Sequence, residues 1–126
     1  MRAYTVAATA VTLEVGRKWL DNVLSHHQVP GVLQERQGIV RRVTPTGLLA
    51  LDITASLVRA LSIPIAQALD IAAQLIAAEG TEIRITGALS IRIRADVDTM
   101  RDELNTRLER AIEISPTPRR GRPRRK

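Results

Sequence analysis

Apolar residues recur three or four positions apart through most of the chain and switch to strict alternation over residues 83–93, so helices and one late hairpin are expected. Thr5 caps a first short helix whose face of small apolar residues is Val6, Ala7, Ala10 and Val11. So little bulk implies close packing on a second helix, expected from about Gly16 to Ser25. That helix turns Trp19, Leu20, Val23 and Leu24 inward and Arg17, Lys18, Asp21 and Asn22 outward. The short connection makes the two a helix-turn-helix candidate.

Pro30-Gly31 breaks the chain. Val32-Leu33, a polar tip carrying Arg36 and Gln37, and Ile39-Val40-Arg41-Arg42-Val43 predict a small hairpin with a basic return strand. Thr44 then caps a helix with Pro45 at its first position, running to Leu61 with Leu48, Leu49, Leu51, Ile53, Leu57 and Val58 as its apolar set. A further helix runs from about Pro64 to Ala78, with Ile65, Ala68, Leu69, Ala72, Leu75 and Ile76 on one face and Gly80 closing it.

Beyond Gly80 the period becomes two. Ile83, Ile85, Leu89, Ile91 and Ile93 alternate with Glu82, Arg84, Ser90, Arg92 and Arg94 about a turn at Thr86-Gly87-Ala88. A lone hairpin is marginal in water, so its aliphatic face needs a cover. Asp96 caps a last helix to Ile114, striped with Val97, Met100, Leu104, Leu108, Ala111 and Ile112. That stripe either folds back on its own hairpin or pairs across a dimer axis. Pro116 and Pro118 end regular structure.

The expected fold is therefore mainly α with small β elements (α+β): a helix-turn-helix with a small basic hairpin, a helix pair, a β-hairpin and a C-terminal helix. Residues 1–79 form the front unit in this reading, 80–114 a dimerisation module and 115–126 a disordered basic tail.

Composition narrows the function. Aromatic residues make up 2% of 126, with no Phe, so a base-stacking platform is improbable and Trp19 is expected as a core anchor between the first two helices. With no cysteine there is no disulfide, thiolate metal site or thiol catalysis. No apolar run approaches the ~20 residues of a membrane span, and the amino end lacks a signal-peptide pattern, so a cytoplasmic protein is expected.

The formal charge is +6, and its location matters more than its size. Six of the 19 basic residues lie in Arg119-Arg120-Gly121-Arg122-Pro123-Arg124-Arg125-Lys126, which leaves the preceding chain neutral overall. Within that part the front half is basic and the back half mildly acidic. A polyanion for the front and the tail, and a different role for the back, follow from this division.

The front segment resembles the winged helix-turn-helix of the MerR superfamily. Tyr4-Thr5-Val6 and Ala10, the helix from Arg17 to Leu24, the basic wing ending in Arg41-Arg42-Val43-Thr44-Pro45, and the helix pair joined by Leu61-Ser62-Ile63-Pro64-Ile65 carry the resemblance. It implies that the second helix reads DNA. Two departures stand out. Glu14 and Gly16 occupy the places where the family has Gly followed by a Ser or Thr cap, and a hairpin with one helix replaces the long coiled coil and effector domain. A small relative without a sensor fits better. The tail resembles an AT-hook through Arg120-Gly121-Arg122-Pro123: Gly lets the backbone reach the floor of a narrow minor groove, and the flanking Arg side chains follow its negative potential.

The candidate site residues are thus Arg17, Lys18, Asp21 and Asn22 on the recognition helix, where Arg and Asn have bidentate base partners in the major groove. Arg36, Arg41 and Arg42 on the wing are candidates for phosphate contact. The basic tail is the candidate for A·T-rich minor groove. His26-His27 is expected as a helix-end surface pair, because neighbours on a helix diverge by about 100° and no third ligand is evident. No phosphate loop, HExxH, nucleophile elbow or paired carboxylate site is present in the sequence, so neither enzymatic activity nor a cofactor is expected.

Together these features imply a homodimeric, sequence-sensitive binder of double-stranded DNA, most simply a repressor. An architectural nucleoid protein, or a DNA-binding antitoxin whose acidic back half holds a partner protein, are the alternatives.

Overall fold

The computed structural model describes residues 3–33, 41–79, 82–87 and 89–114. Its elements run α1 (Val6–Leu13), α2 (Arg17–His26), β1 (Val32–Leu33), β2 (Arg42–Val43), α3 (Pro45–Leu61), α4 (Ile65–Ala77), β3 (Ile83–Thr86), β4 (Ser90–Ile93) and α5 (Val97–Ile114). The fold is mainly helical with two small antiparallel sheets, as the change of period in the sequence implies.

α1 packs against α2, α3 and α5. Thr5 begins it, its hydroxyl accepting from the Ala8 N–H at 3.0 Å. Being covered from several sides, α1 has no single apolar face of the expected kind. Val6, Ala8, Thr9, Ala10, Thr12 and Leu13 are buried, whereas Val11, expected inward, is 38% exposed. Two threonines enter the interior without leaving a donor unsatisfied: Thr9 donates to the Thr5 carbonyl at 2.8 Å and Thr12 to the Ala8 carbonyl at 2.7 Å.

α3 lies along α4 and also meets α1 and α5. Leu48, Leu49, Leu51, Ile53 and Leu57 of α3 and Leu69, Ile71 and Leu75 of α4 are buried in one cluster with Val6, Leu13, Leu20 and Val23. The same cluster includes Val97, Leu104 and Leu108 of α5. The main partners of the α5 stripe are thus α1 and α3, and the core runs without interruption from the front of the chain into its last helix. Asp96 caps that helix, accepting from the Thr99 N–H at 3.1 Å. The side chain of Ile112 lies outside the described residues.

β1 and β2 pair with Val32 opposite Val43 and Leu33 opposite Arg42. Tyr4 adds a third rung, exchanging hydrogen bonds of 2.8 and 2.9 Å with Val43. Of the expected return strand Arg42 and Val43 are strand and Arg41 is not, while Ile39, Val40 and the tip, including Arg36 and Gln37, lie outside the described residues. At the root of this wing Gly31 adopts φ +84°, which favours glycine, and its carbonyl accepts from both the N–H and the hydroxyl of Thr44, at 2.9 and 2.7 Å. The same hydroxyl caps α3 by accepting from the Gly47 N–H at 3.2 Å. A methyl group on Gly47 would stand 2.7 Å from the Gly31 oxygen, so glycine at 47 is what lets wing and helix approach.

The second hairpin pairs Ile83 with Ile93 and Ile85 with Ile91. Ile83, Ile85 and Ile93 pack on the core, while Leu89 and Ile91 nearer the turn are 73% and 47% exposed. On the other face Arg84 stands opposite Arg92, which also pairs with Glu82 at 3.8 Å.

Candidate nucleic-acid interface

Leu20, Val23 and Leu24 are buried against the core and fix the roll of α2. Arg17, Lys18 and Asn22 consequently face solvent, and Asp21 is half-buried. The preceding turn is Glu14-Val15-Gly16. Glu14 takes the left-handed conformation at φ 58°, and Gly16 is the extended N-cap of α2, offering no side-chain acceptor. The left-handed place in the turn is thus held by Glu14 and the N-cap by glycine, as the departure in the sequence implies. The Arg59 guanidinium at the carboxyl end of α3 donates to the Glu14 carbonyl at 2.7 Å and ties the turn to the body.

The amino end of α2 is left electropositive. Its first turn carries Arg17 and Lys18 and no acid, and the helix dipole adds partial positive charge there. Arg17 Nε lies 3.5 Å from the Asp21 carboxylate, with the two side chains 58% and 48% exposed, so the pair is weak and easily exchanged for another anion.

At the carboxyl end, His26 Nδ1 lies 2.9 Å from the Asn22 carbonyl, and His27 is the half-buried C-cap. Arg41 is also half-buried. It lines a hollow of about 550 Å³ with Leu24, His27, Gln28, Val29, Pro30 and Val32. Arg42 is exposed; because Val43 next to it is buried, Arg42 faces away from the core. The structure therefore places the α2 cations and Arg41 at opposite ends of a helix about 15 Å long. Arg36, Arg119, Arg120, Gly121, Arg122, Pro123, Arg124, Arg125 and Lys126 lie outside the described residues.

Trp19 is half-buried and packs on the core beside Asn22, Val23, His26, His27 and Ile65. The positioning contacts from Arg59 and Tyr4 join residues far apart along the chain. A single arginine near a helix end and one bridging tyrosine carry no periodic signal.

Two carboxyls outside this surface are shifted by their surroundings. Burial between helices raises the Asp52 carboxyl above its ordinary range, opposed by Arg107 and Arg59 and reinforced by Glu103. Hydrogen bonds from the Thr99 N–H and hydroxyl lower that of Asp96. Among the described residues no three His, Asp or Glu side chains gather as metal ligands, and no helix is long and apolar enough to cross a membrane. No family model, curated protein or solved structure matches the chain.

Proposed function

We propose that the chain is a double-stranded DNA-binding regulator, acting most simply as a repressor, in which α1 and α2 form the helix-turn-helix and the β1–β2 strands its wing. The observation that carries this reading is α2 itself: an uncapped, electropositive amino end with Arg17, Lys18 and Asn22 turned outward, braced from behind by buried Leu20, Val23 and Leu24. The major groove is about 12 Å wide and admits such a helix, where Arg pairs with guanine and Asn with adenine. Asp21 holds Arg17 until a base or phosphate replaces it. Arg41 and Arg42 supply phosphate contacts at the other end, and the basic tail lies in a neighbouring A·T-rich minor groove.

A homodimer through residues 80–114 is part of the proposal on narrower ground than the sequence suggests. The α5 stripe is occupied by α1 and α3, so the contact falls to Leu89 and Ile91 of the hairpin.

Selection of bound duplexes from a random pool tests the reading. A motif of a few base pairs, repeated at a fixed spacing, is the expected outcome. An A·T bias without a motif favours an architectural protein, and no enrichment removes DNA as the ligand.

A further inference from the structure

A second cleft, of about 140 Å³, opens between the first residues of the chain, the start of α3 and the outer part of α5. Its apolar wall consists of Leu48, Leu104 and Leu108, all buried, with Tyr4 and Pro45 beside them. Its polar lining is Thr46, Arg101 and Asn105. A cavity of this size holds about one benzene ring.

Two independent features set the sign of its occupant. Arg101 brings a guanidinium whose described partner is Asp98, 3.9 Å away on a side chain that is 96% exposed, a loose pair that a better-placed carboxylate displaces. Pro45 and Thr46 open the first turn of the 17-residue α3, where the dipole is positive and, Pro45 having no N–H and the Gly47 N–H being taken by Thr44, the Thr46 N–H is left without an intrahelical acceptor. Thr46 and Asn105 add neutral hydrogen-bonding groups. None of the described lining residues carries a carboxylate.

We propose that this cleft binds a small organic carboxylate with an apolar body the size of one ring, its head on Arg101 and the amino end of α3, its body against Leu48, Leu104 and Leu108. Tyr4 shares the cleft and is bonded to Val43 of β2, so the occupant sits at the root of the wing. Binding here does not depend on the DNA-binding reading.

The test is a titration of the full chain with sodium benzoate, and separately with neutral benzamide, at constant ionic strength and up to about 20 mM, followed by NMR. Benzoate is expected to give saturable shifts centred on Tyr4, Thr46 and Leu104, with benzamide about tenfold weaker for want of the charged contact. Arg101→Gln is expected to bring benzoate down to the level of benzamide, and Asn105→Trp to exclude both. Both positions are exposed, and unchanged signals elsewhere verify that each variant is folded. Shifts centred elsewhere, no saturation, equal affinity for the two probes, or no loss in Arg101→Gln would overturn the proposal.

Discussion

Replacing Gly47 by Ala separates helix propensity from packing, because the two act in opposite directions at this position. Ala is favoured over Gly inside a helix by about 1 kcal/mol, and position 47 needs no left-handed backbone. The new methyl, however, would stand 2.7 Å from the Gly31 oxygen and 3.0 Å from both the Gly31 carbonyl carbon and Val43 Cγ1. Ordinary carbon–carbon contacts lie near 3.5 to 4.0 Å, so the wing root has to move by several tenths of an ångström. Overpacking of this kind costs about 1 to 3 kcal/mol. The Gly31 oxygen also accepts both Thr44 bonds, and loosening either costs about 0.5 to 1.5 kcal/mol more. Net of propensity, Gly47→Ala is expected to destabilise by about 0.5 to 3.5 kcal/mol and to lower Tm by roughly 2 to 14 °C in thermal unfolding followed by circular dichroism. Thr46→Ala, exposed in the same turn, gains propensity without the clash and serves as control. A Tm for Gly47→Ala equal to or above that of the parent would refute the close approach of wing and helix.

The other expected outcomes concern charge and association. Asp21→Asn frees Arg17, so binding to random duplexes should strengthen and its salt dependence steepen by up to about one unit, whereas Arg17→Ala or Asn22→Ala should cost about 1 to 3 kcal/mol on a selected site; fluorescence anisotropy reads both. Deleting residues 119–126 should lower the salt slope by several units, at about 0.9 per phosphate neutralised, and an unchanged slope excludes the tail from the contact. Because burial raises the Asp52 carboxyl above 3.8, the protonated form is favoured in the folded state, and wild-type stability falls as pH rises through the raised value. Asp52→Asn should therefore raise Tm at pH 7, by an amount that shrinks toward pH 4, and a constant difference would contradict this. Leu89→Asp should shift a dimer to monomer in sedimentation and, since Leu89 is 73% exposed, leave Tm unchanged at concentrations low enough for the parent to be monomeric.

The order and type of elements were legible because each rests on a local signal. Thr5, Thr44 and Asp96 cap their helices as read, and the hairpin turns where the period-two pattern breaks. What each element packs against was not legible. The stripe of α5 announces one apolar face, and periodicity cannot say whether a hairpin, a second copy or α1 covers it. α1 departs from its expected face for a related reason: Thr9 and Thr12 lie outside the apolar set Val6, Ala7, Ala10 and Val11, yet their hydroxyls bond to the preceding turn and permit burial. The approach of Gly31 to Gly47 joins residues sixteen apart through backbone alone and leaves no pattern in side-chain chemistry. Of the candidate site, the outward set on α2 follows from its inward set by geometry. Its flanking supports, Arg59 on Glu14 and Tyr4 on Val43, are tertiary contacts with no local trace.

The chain has no cysteine, so single thiols placed at will can report which surface a duplex covers. Lys18→Cys and Asn22→Cys on α2, Arg42→Cys on the wing and Glu109→Cys on the exposed side of α5 would each be labelled with and without saturating DNA. Labelling is expected to slow about tenfold or more at 18 and 22, less at 42, and not at all at 109. Equal rates at all four positions, or protection at 109 with none on α2, would contradict a helix seated in the major groove.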